Sequence, residues 1–183
     1  MKITNALTIG RLIAAAIFLA VFNIDTLTAK VFALILLIFA QVSDYLDGHI
    51  ARTRNQITNF GKLFDPLADC VFFITLFGCF TMAGYMPKWM FMILVFRELM
   101  VTTCLRPYFS SKEIVLAAKM SGKVKTVAQG VAANIIMLFI IATYFTEILP
   151  EATYKMISFW CLFIIIIFSL YSLLEYIREL KLA

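Results

Sequence analysis

Four aspartates, Asp44, Asp47, Asp65 and Asp69, lie in the segment VSDYLDGHIARTRNQITNFGKLFDPLADC, between two long apolar runs. An ionised carboxylate is costly inside a bilayer and, where one occurs, it usually marks a site. Four together repel one another unless cations lie between them. Asp44 and Asp47 are three apart and Asp65 and Asp69 four apart, spacings that put each pair on one face of a helix. The intervening loop, with Asn55, Gln56, Thr58 and Asn59, lets the two helices run antiparallel, so the pairs converge. Oxygen-only ligands suit Mg2+ or Mn2+ better than zinc. Four carboxylates hold one ion or a pair, and ions about 3.5–4 Å apart suit displacement at phosphorus.

Small residues flank the acids: Gly48 and Ala51 follow Asp47, and Gly61 precedes Asp65. They leave room for helix packing or for a substrate to approach backbone. Arg52 is placed to meet a phosphate near the metals. The plainer alternative is an interfacial ion cluster, with the acids paired to Arg52, Arg54 and Lys62. That reading suits one Asp near a helix end better than four at this spacing beside glycines. His49 is the sole histidine, which argues against a histidine-rich metal site or a His-based triad.

The elements that must position these acids are membrane helices. Of 183 residues, 63% are hydrophobic and 15% charged, against roughly 45–50% apolar in a soluble domain; mean hydropathy is +0.95. An all-α integral membrane protein of one domain, residues 1–183, is expected. Six spans are expected over residues 5–22, 28–52, 61–83, 87–106, 116–145 and 154–177. Each is near or above the roughly 20 residues that cross the hydrocarbon core. Punctuation falls at Asn23-Ile24-Asp25, Gly84 with Pro87, Ser110-Ser111, and Pro150. The first apolar run lacks a clear small-residue cleavage site and is read as a retained helix. Cys70, Cys79, Cys104 and Cys161 form no CxxC pair and read as small buried hydrophobes.

Basic residues set the orientation. Six spans put both termini on one side, and only Lys30, Lys88 and Lys155 of the 16 Lys and Arg fall on the other. The termini and all four aspartates are therefore expected at the cytoplasmic face. A net charge of +5 then points to anionic lipid surfaces rather than nucleic acid.

The pattern Asp44-x-x-Asp47-Gly48-x-x-Ala51-Arg52, eight residues, Gly61-x-x-x-Asp65-x-x-x-Asp69 resembles the signature of the CDP-alcohol phosphatidyltransferase family. The resemblance covers most of the chain, since six helices with this motif on the second and third is the family layout. It implies that a CDP-linked donor binds at the motif, that an acceptor hydroxyl attacks phosphorus, and that CMP leaves. By position, Asp44, Asp47 and Asp65 would be metal ligands. Asp69 would be a ligand or the general base, and family precedent favours the base. Gly48, Ala51, Arg52 and Gly61, with Asp47, would line the CDP site. The family also implies a homodimer, and the lack of extra domains fits a bacterial plasma-membrane enzyme.

A second, basic cluster bears on the acceptor. Arg97 lies inside an apolar run, Arg106 at the end of the fourth span, and Lys119, Lys123 and Lys125 open the fifth. Lys119 and Lys123 share a helix face, whereas Lys125 is offset. Glu98 is too close in sequence to be the obvious partner of Arg97. If the four carboxylates balance two divalent ions, the donor pyrophosphate remains, and further cations suggest a second anionic substrate. A phosphorylated acceptor such as sn-glycerol 3-phosphate fits, because Lys and Arg are natural phosphate partners. The alternative for these residues is the positive-inside rule alone.

RELMVTTCLR (97–106) and GKVKT (122–126) resemble the branch of the family that makes phosphatidylglycerophosphate from CDP-diacylglycerol. There Arg106, Lys123 and Lys125, with Arg97 and Lys119, would hold the acceptor phosphate. The segment NALTIGR (5–11) resembles the same branch, where it is a short membrane-surface segment leading into the first helix. It makes Asn5 and Thr8 donor contacts, with helix capping as the alternative. Related acceptors, serine or inositol phosphate, remain open, as does the remoter possibility of a cation transporter whose acids line a pathway.

Overall fold

A computed structural model describes residues 3–53, 59–105, 107–108, 120–145 and 150–180, with side chains for 8–43, 64–105, 107–108, 124–145 and 150–180. The described residues form helices and no strands. These are α1 (Ile3–Phe22), α2 (Leu27–Thr53), α3 (Asn59–Met82), α4 (Lys88–Leu99), a π-helical continuation (Met100–Leu105), α5 (Met120–Ala142) and α6 (Glu151–Leu180). Three stretches are long and apolar enough to cross a membrane: Phe64–Met82, Val124–Ala142 and Glu151–Leu180. Thr8–Phe22 and Leu27–Ser43 are shorter apolar stretches. The chain is an integral membrane protein. Ile13, Phe39, Phe96 and Trp160 are exposed on helix surfaces, where lipid is the natural neighbour.

The chain divides into two compact units, Met1–Cys79 with Met137–Glu147, and Phe80–Ile136 with Ile148–Ala183. In the first, α1 buries Arg11, Ala14, Ala15, Phe18 and Phe22, the stripe of a 3.6-residue period. α2 packs against α1 and buries Ala33, Leu37 and Ala40. The alanines let the helix backbones approach closely, where van der Waals contact drives association in lipid.

The α1–α2 turn is closed by local chemistry. Thr26 caps α2 by accepting from the Ala29 N–H at 3.3 Å. Lys30 donates to the Phe22 carbonyl at 2.6 Å and sits over the Phe22 ring, 4.5 Å from its centroid. A cation thus satisfies the carbonyl end of α1. The Tyr144 hydroxyl, just past α5, pairs with Asp25 in the same turn.

In the second unit α4 packs on α6. α4 is preceded by a Schellman turn. The Tyr85 N–H reaches the Phe80 carbonyl at 2.9 Å and the Gly84 N–H reaches that of Thr81 at 3.1 Å. Gly84 has φ +77°, a conformation open to glycine and strained for other residues. Pro87 follows at the N-cap of α4.

Two expectations are refined. Residues 5–11, expected as a short membrane-surface segment leading into the first helix, are helical and part of α1. The fourth span, expected as one helix, changes to π geometry at Met100.

Candidate active site

The first unit brings α1 to α3 through two polar contacts one helical turn apart. The Thr8 hydroxyl donates to Asp65, and the Arg11 guanidinium pairs with Asp69. Thr8 and Arg11 are three apart, Asp65 and Asp69 four apart, and the contacts ascend both helices in the same sense. α1 and α3 therefore run parallel, with α2 returning between them in sequence. Further along, Phe18 meets Phe72 at 6.4 Å between centroids.

Thr8 and Arg11 are buried, at 1% and 3% exposure, whereas the Asp69 side chain is 34% exposed. The α1 residues thus lie behind the acids, which remain reachable from outside. A carboxylate has about four lone-pair sites, so these contacts do not use all of its acceptor capacity. Pro66, next to Asp65, withdraws one N–H from the α3 ladder between the two acids.

Asp44, Asp47, Gly48, Ala51 and Arg52 lie in the second half of α2, and Gly61 in the first turn of α3. Asn5 lies in α1 and Lys123 in the first turn of α5. The side chains of these eight residues, and Arg106 and Lys119 entirely, lie outside the described residues. The backbone alone brings both acid pairs to one end of the unit, because α2 ends at Thr53 and α3 starts at Asn59. Lys30 ties α1 to α2 at the opposite end.

Thr8 sits within α1 with its hydroxyl on Asp65, so it does not cap the helix. Arg11 was legible only as a flanking positive charge. Its signal was its place three residues after Thr8, on the same face. A buried guanidinium needs an anion, and Thr8 and Arg11 share a helix face as Asp65 and Asp69 do.

The second unit holds a buried polar cluster. Glu98 accepts from Lys125 and from Gln129 Nε2 at 3.2 Å. Arg97 Nη1 lies 3.3 Å from Glu98 Oε2, Nε donates to the Ser169 carbonyl at 3.3 Å, and Nη2 to Ser172 Oγ at 3.1 Å. This corrects the expectation that Glu98 is too close in sequence to pair with Arg97. Adjacent helical residues diverge at their Cβ atoms, but both long side chains converge once their shared surroundings are apolar. Lys125, offset from Lys119 and Lys123 by its register, turns to Glu98. The cysteines are free thiols; Cys70 and Cys79 are buried, whereas Cys104 is exposed.

A helical membrane protein with an acid pair held by α1 is the class this geometry defines. A family model for CDP-alcohol phosphatidyltransferase matches residues 1–174, and the chain belongs to that family. The CDP-diacylglycerol–glycerol-3-phosphate 3-phosphatidyltransferase of Bacillus subtilis (strain 168) is 39% identical over 104 residues, 57% of this chain and 53% of its own length. The chain thus matches about half of that relative. The protein of the same name from Rickettsia typhi is 30% identical over 141 residues, 75% of this chain and 76% of its own. That from Mycoplasma pneumoniae is 40% identical over 98 residues, 54% and 43% respectively. The family is divalent-metal dependent. Asp65 and Asp69 offer oxygen donors one turn apart, the donor chemistry that Mg2+ or Mn2+ requires.

Proposed function

We propose that the protein transfers the phosphatidyl group of CDP-diacylglycerol to sn-glycerol 3-phosphate, releasing phosphatidylglycerophosphate and CMP. The observation that carries this reading is the fixing of Asp65 and Asp69 by Thr8 and Arg11. It holds the second half of the acid motif in one geometry, and relatives bearing that activity's name support the choice of reaction.

Asp44, Asp47, Asp65 and Asp69 would hold two Mg2+ or Mn2+ ions, which supply charge neutralisation at the donor pyrophosphate when bound. Gly48, Ala51 and Gly61 leave room for the donor to approach the helix backbone, and Arg52 and Asn5 contact it. Thr8 acts on the donor through Asp65. Arg97, Arg106, Lys119, Lys123 and Lys125 serve the acceptor phosphate. Asp69 takes the proton of the acceptor's primary hydroxyl as its oxygen bonds to phosphorus. The bond from phosphorus to the CMP oxygen breaks, and CMP leaves with that electron pair. Positioning and charge neutralisation carry most of such a transfer. Six membrane crossings, a cytoplasmic site and termini, and a homodimer complete the reading.

The test is purified protein with CDP-diacylglycerol, Mg2+ and labelled acceptors. Incorporation of glycerol 3-phosphate is expected. Incorporation of serine or inositol phosphate in its place overturns the acceptor assignment, and metal flux without CMP release overturns the enzyme.

A further inference from the structure

Glu98 has no part in the acid motif, yet it is the point on which Arg97, Lys125 and Gln129 converge. Glu98, Arg97 and Lys125 are 8%, 5% and 3% exposed, and Gln129, Ser169 and Ser172 are buried with them. A charge in such surroundings keeps its place because leaving its partner strands both groups in an apolar medium. Arg97 also donates to two groups on α6, the Ser169 carbonyl and the Ser172 hydroxyl. One carboxylate on α4 therefore sets where an ammonium from α5 and a guanidinium from α4 come to rest.

A second observation points to a ligand. Ser169 Oγ is fully buried and has no hydrogen-bond partner among the described residues. Its own carbonyl receives the Arg97 Nε. A buried hydroxyl without an acceptor is unfavourable. An anionic oxygen beside Arg97 would complete it.

We infer that Glu98 is the positioning residue for an anionic, phosphate-bearing acceptor, fixing Arg97 and Lys125 so that their charge meets that phosphate. The inference rests on the proposed acceptor class and adds a residue that does not itself touch substrate. With Glu98 neutral, the two cations face each other in an apolar setting. Lys125 then turns towards water along its flexible stem, and the acceptor loses a preset partner. Gln129 and Ser172 support the same geometry from α5 and α6.

The test compares Glu98→Gln, Glu98→Asp and Gln129→Met in the full-length protein reconstituted with CDP-diacylglycerol. KM is measured for each substrate, on whichever acceptor the wild type turns over. Glu98→Gln is expected to raise the acceptor KM about tenfold or more, with the CDP-diacylglycerol KM within about twofold. Glu98→Asp is expected to recover part of the loss. Gln129→Met keeps the charges, so a smaller rise in acceptor KM is expected; it provides the reading if Glu98→Gln does not fold. Added to Lys125→Met, Glu98→Gln is expected to raise the acceptor KM by less than it does in the wild type, since only its hold on Arg97 is then left to lose.

A merely structural Glu98 would lower the yield of folded protein and leave both KM values unchanged, which overturns the inference. So does an equal rise in both, or a fall in the acceptor KM, which would make Glu98 a competitor of the acceptor. A wild type that uses only an unphosphorylated acceptor overturns the acceptor class. A wild type that uses glycerol 3-phosphate beside an unaffected Glu98→Gln overturns the role of Glu98 alone.

Discussion

Arg11 on α1 pairs with Asp69 on α3 across 58 positions of sequence, with the guanidinium buried and the carboxylate partly open. The pair joins the first helix to the residue proposed as general base. Replacing Arg11 by Met leaves Asp69 without this anchor, and a displacement of about 1 Å costs on the order of 10²-fold. A kcat lower by about 10–100-fold is expected, with Arg11→Lys intermediate. Steady-state CMP release measures it, and a kcat within about twofold of wild type would separate Arg11 from the function of Asp69.

Asp69→Asn removes the proton acceptor while keeping the size of the side chain. General-base catalysis contributes about 10²–10⁴-fold, and a loss of turnover in that range is expected. The variant should still fold, with a lower melting temperature because Arg11 then faces a neutral amide. Thermal unfolding in detergent, run beside the CMP assay, reads both effects. Unchanged CMP release removes Asp69 from the mechanism.

Thr8 orients Asp65 through its hydroxyl. Groups that orient a metal ligand are worth about 10–100-fold in metal affinity. Thr8→Val should raise the Mn2+ concentration for half-maximal activity about tenfold, whereas Thr8→Ser should stay close to wild type. Chelation should abolish turnover in all three, and added Mg2+ or Mn2+ should restore it. Direct Mn2+ titration of the apo protein checks the affinity change without reference to turnover.

Gly84→Ala places a side chain at φ +77° in the turn before α4. The nearest atoms, Lys155 Nζ and Cε at 3.5 and 3.6 Å, are ordinary contacts, so the backbone supplies the strain. A loss of about 1 kcal/mol is expected, read as a lower melting temperature with unchanged KM values.

Much of the architecture is legible along the chain because lipid makes it so. A segment that crosses hydrocarbon must satisfy its own backbone, so apolar length alone marks helices, and Gly84 with Pro87 marks a stop. The helix ends fall close to expectation at Phe22, Met82 and Thr53. The switch to π geometry at Met100 gives no such signal. The segment MVTTCL holds neither glycine nor proline, and its Thr103 hydroxyl donates to the Leu99 carbonyl at 2.7 Å.

The sequence by itself determined the family signature. Four acids at helical spacing beside Gly48, Ala51, Arg52 and Gly61 are legible without a structure, since spacing along a helix is a local property. The tertiary structure decided which distant polar groups pair within each unit. Arg11 behind Asp69, Thr8 on Asp65 and the gathering of Arg97, Lys125 and Gln129 at Glu98 are long-range pairings. Each arises because a buried polar group must find a partner on a neighbouring helix, and only helix packing determines which neighbour that is.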